Sequence, residues 1–156
     1  MKSDQSSSFQ NMTNNMISIE ELLTEFEFLS DWEERCDFLI DLGFELPPMS
    51  DADKTEKNRV HGCQSMVWLT TDLQEVGDQK VLQINADSDA LIVKGLIAVL
   101  LAIYNHKTPE EVLKIDVKKY FSQLQLDKYL SSQRKNGLFG MVERVQQEAK
   151  LLAEQN

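Results

Sequence analysis

The sequence predicts an α+β domain: two short N-terminal helices, a small antiparallel sheet, and then a helical C-terminal half. Three observations carry this. Apolar residues recur at helical spacing on both flanks, from Leu22 to Leu42 and from Leu138 to Leu152. Between the flanks, Met66–Thr71 is rich in β-branched and aromatic residues, and Val81–Ala86 alternates, with Gly77-Asp78 as a turn between them. A further run, Ala90 to Ile103, is apolar nearly all round apart from Lys94 and Gly95, the pattern of a helix buried by neighbours on every side.

A chain of 156 residues with 42% hydrophobic content can bury one sizeable core, so one domain is expected, over residues 17–156. Residues 1–16 are mostly Ser, Asn and Gln; they read as a disordered tail, without the apolar core of a signal peptide or the arginines of a transit peptide. The net charge is −10, and from Ser18 to Glu56 the charges are acidic except for Arg35 and Lys54. Such a surface repels phosphate backbones, which argues against nucleic acid as a partner and for a basic or mixed protein surface. A membrane span needs about 20 apolar residues; the Ala90–Ile103 run is shorter and carries a charge, so no membrane partner is expected. The two cysteines, Cys36 and Cys63, and the two histidines, His61 and His106, are far apart in sequence. They form neither a disulfide framework nor a zinc-spaced set, and a reducing, cytoplasmic compartment with no metal site is the simplest expectation.

In chain order, Ser18 with Glu21 has capping-box spacing and Ile17 with Leu22 that of a hydrophobic staple, so the first helix opens there, with Leu22, Leu23, Phe26 and Leu29 on one face. Ser30 with Glu33 repeats the signature for a second helix whose apolar face is Trp32, Cys36, Leu39 and Leu42, with Gly43 as its stop. Cys36 on that face reads as a small buried hydrophobe; a redox partner for Cys63 is the alternative. Pro47-Pro48 forces an extended connection, and residues 51–57 are charged and solvated. A further strand is a candidate around Arg59-Val60. Asp87-Ser88-Asp89 reads as the N-cap of the apolar helix, Lys94 as reaching solvent or pairing with Asp87 or Asp89, and Gly95 as a point of close packing. Thr108-Pro109-Glu110-Glu111 starts another helix, Asp116 a short one carrying Tyr120, Phe121 and Leu124, and Ser131–Gly137 leads into the terminal helix.

Chemistry is concentrated in one stretch. Cys63 lies between Gly62 and the polar pair Gln64-Ser65, just before a strand begins. A thiolate is the reactive form of cysteine and is favoured near cations, which Arg59 and His61 could supply. From these residues alone a structural and a functional thiol are equally open, and a general-base role for His61 is the weaker reading of an isolated loop histidine. Phosphate-loop and nucleophile-elbow patterns are absent. Asp87 and Asp89 fit helix capping better than acid–base or Mg²⁺ chemistry.

The segment Arg59-Val60-His61-Gly62-Cys63-Gln64-Ser65-Met66-Val67-Trp68-Leu69 resembles the signature of the SufE family, sulfur acceptors of iron–sulfur cluster assembly. The resemblance continues through Leu46-Pro47-Pro48, Asp87–Leu96, Tyr104, Thr108-Pro109-Glu110 and Ser132–Leu138, in the same order and spacing, and covers Ile17 to the C-terminus. It implies a SufE/NifU-like fold with a three-stranded antiparallel sheet. It implies that Cys63 accepts a persulfide sulfur from a pyridoxal-phosphate-dependent cysteine desulfurase, SufS- or CsdA-like, and passes it to a Suf scaffold complex. The chain would then be a co-substrate and activator, with no cofactor of its own. Arg59, His61, Gly62, Gln64, Ser65, Asp87 and Arg134 would shape the loop or meet the partner. Three departures stand out: the family pattern does not ask for Cys36, it fills the position of His61 variably, and it often has a proline where this chain has Ser131-Ser132.

Two other readings compete. A NifU/IscU-type scaffold would assemble clusters on several cysteines, but the loop has one. A non-catalytic adaptor would bind a desulfurase through the acidic N-terminal helices and use Cys63 structurally.

Overall fold

The computed structural model describes residues 16–62 and 64–155. The expected tail, residues 1–16, lies outside the described residues except for Met16, and so does Cys63.

Helix α1 (Ile19–Phe28) opens where the capping signature places it. The Ser18 hydroxyl accepts the Glu21 N–H at 3.1 Å and donates to the Glu21 carboxylate at 3.1 Å, an arrangement that contributes about 1 kcal/mol. The helix buries Ile19, Leu22 and Phe26. Helix α2 (Trp32–Phe44) is capped by Asp31 rather than Ser30. The Asp31 carboxylate accepts the Glu34 N–H at 2.9 Å, while Glu34 takes both the N–H and the hydroxyl of Ser30 at 3.0 Å. An ionised acceptor makes the stronger cap, and Ser30 is already engaged. Gly43 does not stop the helix. It faces α3 (Leu91–Tyr104), where an added Cβ would lie 2.8 Å from Lys94 Cβ and 2.9 Å from the Gly95 nitrogen.

The sheet is a hairpin of two strands, β1 (Val67–Val76) and β2 (Gln79–Ser88), paired antiparallel from Val67↔Ser88 to Val76↔Gln79. Gly77, at φ +62°, makes the turn between them. Leu82, Ile84 and Ala86 share the buried face as the alternation predicts, joined by Val67 and Leu69. The three-stranded expectation is not met. Arg59 makes one isolated bridge to Trp68, with two hydrogen bonds of 2.8 Å, Val60 N–H to Val67 O and Leu69 N–H to Asn58 O. A turn at residues 55–59 precedes this segment and Gly62 at φ +103° follows it, so it is too short to propagate a ladder. The outer edge of β2 is similarly covered: Leu82 bonds the main chain of His106 and Lys107, and Asn105 Oδ1 accepts the Ile84 N–H at 2.8 Å.

Helix α3 is buried along most of its length and packs on α2 and β2. Asp87-Ser88-Asp89 does not cap it. Ser88 is still strand, opposite Val67, and the N-cap position is Ala90, which has no side chain able to cap. Helix α4 (Pro109–Lys114) has both halves of the expected capping box between Thr108 and Glu111. Helix α5 (Val117–Gln123) is capped by Asp116, and a single turn, α6 (Leu126–Tyr129), follows Gln125 at φ +61°. Helix α7 (Ser132–Gln155) begins five residues before Gly137, because the Ser131 hydroxyl accepts the Arg134 N–H at 3.3 Å. It packs against α4 and β1 and contributes Leu138, Met141, Val142, Val145 and Ala149 to a continuous core. Among the described residues no helix is long and apolar enough to cross a membrane.

Candidate functional site around the Cys63 loop

Cys63 itself lies outside the described residues, but both arms of its loop are defined. The incoming arm, Asn58–Gly62, lies between β1 and α7. On one side are its hydrogen bonds to Val67 and Leu69. On the other, Arg144 of α7 donates from Nη2 to Lys57 O at 3.0 Å and from Nη1 to Arg59 O at 3.3 Å. The arm ends at Gly62, whose φ of +103° suits glycine and would strain any side chain. The outgoing arm is tied to the end of β2: the Met66 N–H donates to Asp89 Oδ1 at 3.0 Å, and the Asp89 N–H donates to Met66 O at 3.3 Å. Asp89 therefore closes the loop rather than capping α3.

The charged candidates fall into two groups. Arg59 and His61 share Glu56, with Arg59 Nη1 at 3.7 Å and His61 Nε2 at 2.7 Å from its oxygens. Asp87 accepts the Ser88 N–H and sits between Lys54 at 3.3 Å and Lys94 at 3.5 Å. Lys54 also lies over the Trp68 ring, 5.5 Å from its centroid. Of the two partners open to Lys94 in the sequence, the structure selects Asp87.

Gln64, Ser65 and Arg134 come together. With Ser131 and Gln133 they line a cleft of about 210 Å³ between the residues after Cys63 and the first turn of α7. The charge of Arg134 also reaches Cys36. That thiol is half-buried, not fully buried as expected from its apolar face, and burial, reinforced by Asp37, pushes its pKa up while Arg134 opposes the rise. Asp87 does not line this cleft; its ion pairs support the strand end behind the loop.

Sequence reasoning missed Arg144, Glu56 and Lys54. Arg144 pairs with Glu148 four residues on, at 3.2 Å, an ordinary exposed-helix pattern that does not announce a contact with a segment 85 residues earlier. Among the described residues no group of three or more His, Cys, Asp and Glu side chains is placed to hold a metal ion.

Comparison with known proteins shows the family and the fold. Residues 20–149 match the family model described as SufE: Fe-S metabolism associated domain. An uncharacterized SufE-like protein of Rhizobium etli is 41% identical over 138 residues, covering 88% of this chain and 93% of that protein. Another uncharacterized SufE-like protein, of Rhizobium meliloti, is 40% identical over 134 residues, covering 86% and 96%. The solution structure of a hypothetical protein from Thermus thermophilus has the same fold, with a TM-score of 0.66 at 22% identity over 85% of this chain and 93% of that one. With the matched domain spanning both helical flanks, the hairpin and the Cys63 loop, the chain belongs to the SufE family, a family of Fe–S metabolism.

Proposed function

We propose that this protein is a sulfur carrier in which Cys63 takes sulfur from a pyridoxal-phosphate-dependent cysteine desulfurase and delivers it to an iron–sulfur cluster scaffold complex. The observation that carries the reading is the setting of Cys63: a thiol within a SufE domain, on a loop whose two arms are pinned by separate elements. Arms anchored in this way join the loop to the sheet on one side and to α7 on the other.

The chemistry is thiol–disulfide exchange in form. The Cys63 thiolate attacks the terminal sulfur of a persulfide on the desulfurase. A new S–S bond forms at Cys63, the donor's S–S bond breaks, and the donor cysteine leaves as a thiolate. The terminal sulfur keeps its proton, so Cys63–S–SH forms with no outside oxidant or reductant. By accepting the sulfur the carrier clears the donor cysteine for another turnover, which is how it would stimulate the desulfurase without a cofactor of its own. The cleft at Gln64, Ser65 and Arg134 supplies hydrogen-bond donors and one cation beside the loop, fitting groups for an anionic sulfur in transit. Arg59, His61 and Gly62 shape the incoming arm, and Asp87 supports the strand behind it. A cytoplasmic location suits this chemistry.

Incubation with a cysteine desulfurase and cysteine, followed by mass spectrometry of peptides, tests the carrier role. We expect one added sulfur atom on Cys63 and none on Cys36, and no stimulation of the desulfurase by Cys63→Ala. Absence of sulfur on Cys63, or full stimulation by Cys63→Ala, overturns it.

A further inference from the structure

Four residues spaced by four along α7 meet the chain that leads to Cys63, or the strand beside it. Asn136 O is the nearest atom to where a Cβ on Gly62 would stand, at 3.9 Å. Gly140 faces the arm at Val60 and His61, with its own added Cβ 3.0 Å from His61 O. Arg144 spans the carbonyls of Lys57 and Arg59. Glu148 accepts from Arg144 Nε at 3.2 Å and from the Thr71 hydroxyl of β1 at 3.3 Å. Residues four apart form one ridge of a helix, so the arm runs antiparallel along a single ridge from Arg144 to Asn136. Where Gly140 stands, a side chain would meet the arm's backbone.

Among the described residues, Arg144 is the one on this ridge that holds the arm by directional bonds. A planar guanidinium fixes two acceptors at once in a set geometry, which an ammonium cannot. Its third nitrogen is oriented by Glu148, which is itself bonded to β1. The arm, the helix and the strand are thus joined through one side chain, at the stretch just before the reactive loop.

We propose that Arg144, oriented by Glu148, is a positioning residue for Cys63: it sets where the incoming arm lies on α7, and so where the thiol is presented for sulfur transfer. The inference rests on the carrier reading for its function, but its geometric half is independent of it. Arg144 acts through the main chain of the arm, at the carbonyls of Lys57 and Arg59.

Two measurements on the full-length protein test this. The first is the pH profile of alkylation of Cys63 by iodoacetamide, with Cys36 in the same molecule as the internal reference. For Arg144→Gln we expect a Cys63 rate altered about tenfold, the change in thiolate fraction that a shift of one pKa unit makes below the pKa, with the Cys36 profile unchanged. The second is sulfur uptake from a desulfurase, where we expect kcat to fall and KM for the carrier to hold, with Arg144→Lys failing to restore the wild-type value. Val145→Ala, a core truncation on the same helix, controls for general loosening. An unchanged Cys63 profile in Arg144→Gln, a loss seen only in KM, or the same change at Cys63 in Val145→Ala overturns the proposal. If wild-type Cys63 takes up no sulfur at all, the carrier reading fails, and the alkylation profile alone decides the positioning role.

Discussion

Gly95 of α3 and Gly140 of α7 each let a foreign carbonyl come where a side chain would otherwise stand, yet their neighbours differ in what they can yield. A Cβ on Gly95 would run into the Leu39 carbonyl oxygen and lie 2.7 Å from its carbon and 2.9 Å from its Cβ. Leu39 is fully buried in the middle of α2, so its backbone is fixed by helix hydrogen bonds and by the core. A Cβ on Gly140 would sit 3.0 Å from His61 O, on an arm that belongs to no helix or named strand. The same device makes a rigid joint between two core helices and an adjustable seat for the segment that bears the thiol.

This contrast can be broken by one methyl group at each position. Gly95→Ala should cost about 3 kcal/mol, the upper range for overpacking a closed core, read as a lowered midpoint in urea unfolding; a loss too small to resolve would mean that α2 and α3 separate easily. Gly140→Ala should behave differently. Alanine improves a helix interior by about 1 kcal/mol relative to glycine, which offsets the push on His61, so global stability should barely move. The displaced arm should instead change the reactivity of Cys63. Equal effects of the two substitutions on stability would erase the distinction.

The smallest expected effect lies at the other edge of the hairpin, where His106 takes φ +64° and its Nε2 meets Gln83 at 3.1 Å. Burial, with the charge of Lys107 adding to it, lowers the pKa of His106 below its usual 6.5. The fold therefore favours the neutral ring. Its contribution is complete above pH 6.5 and is lost as the pH falls through the lower folded value, because the unfolded chain takes up the proton first. His106→Asn keeps a residue that tolerates positive φ and removes the titration. The fall in melting temperature on mild acidification should be shallower in the variant; parallel curves would remove His106 from the acid response.

Much of this architecture was legible in the residues. Ser18, Thr108 and Asp116 act as the caps their spacing predicts, because capping is a local contest decided within four residues. The buried face of β2 and the enclosed helix α3 followed from periodicity in the same way. One miss was local, the cap of α2 at Asp31 instead of Ser30, one residue away; around the loop the misses came from partners far along the chain. Asp87 and Asp89 look like caps locally, but are taken by Lys54 and Lys94 and by the Met66 N–H. The third strand ended at one bridge because the turn at residues 55–59 and Gly62 at φ +103° leave too short an extended segment between them. At the site, Cys63 and the cleft residues Gln64, Ser65 and Arg134 were singled out from sequence, whereas Arg144 was not, since an Arg four residues before a Glu on a helix looks like surface decoration.

The bridge between Arg59 and Trp68 gives the molecule an internal optical probe. The indole of Trp68 sits on the strand that the arm pairs with, under the Lys54 ammonium and next to the charges gathered at Asp87. Indole emission shifts with nearby charge, so its colour should follow the arrangement at the root of the thiol loop. The other indole, Trp32 at the start of α2, is stacked on Tyr129 of α6, 5.1 Å between ring centroids. The two tryptophans of this chain thus divide the molecule spectroscopically, one reporting the loop and the other the helical scaffold.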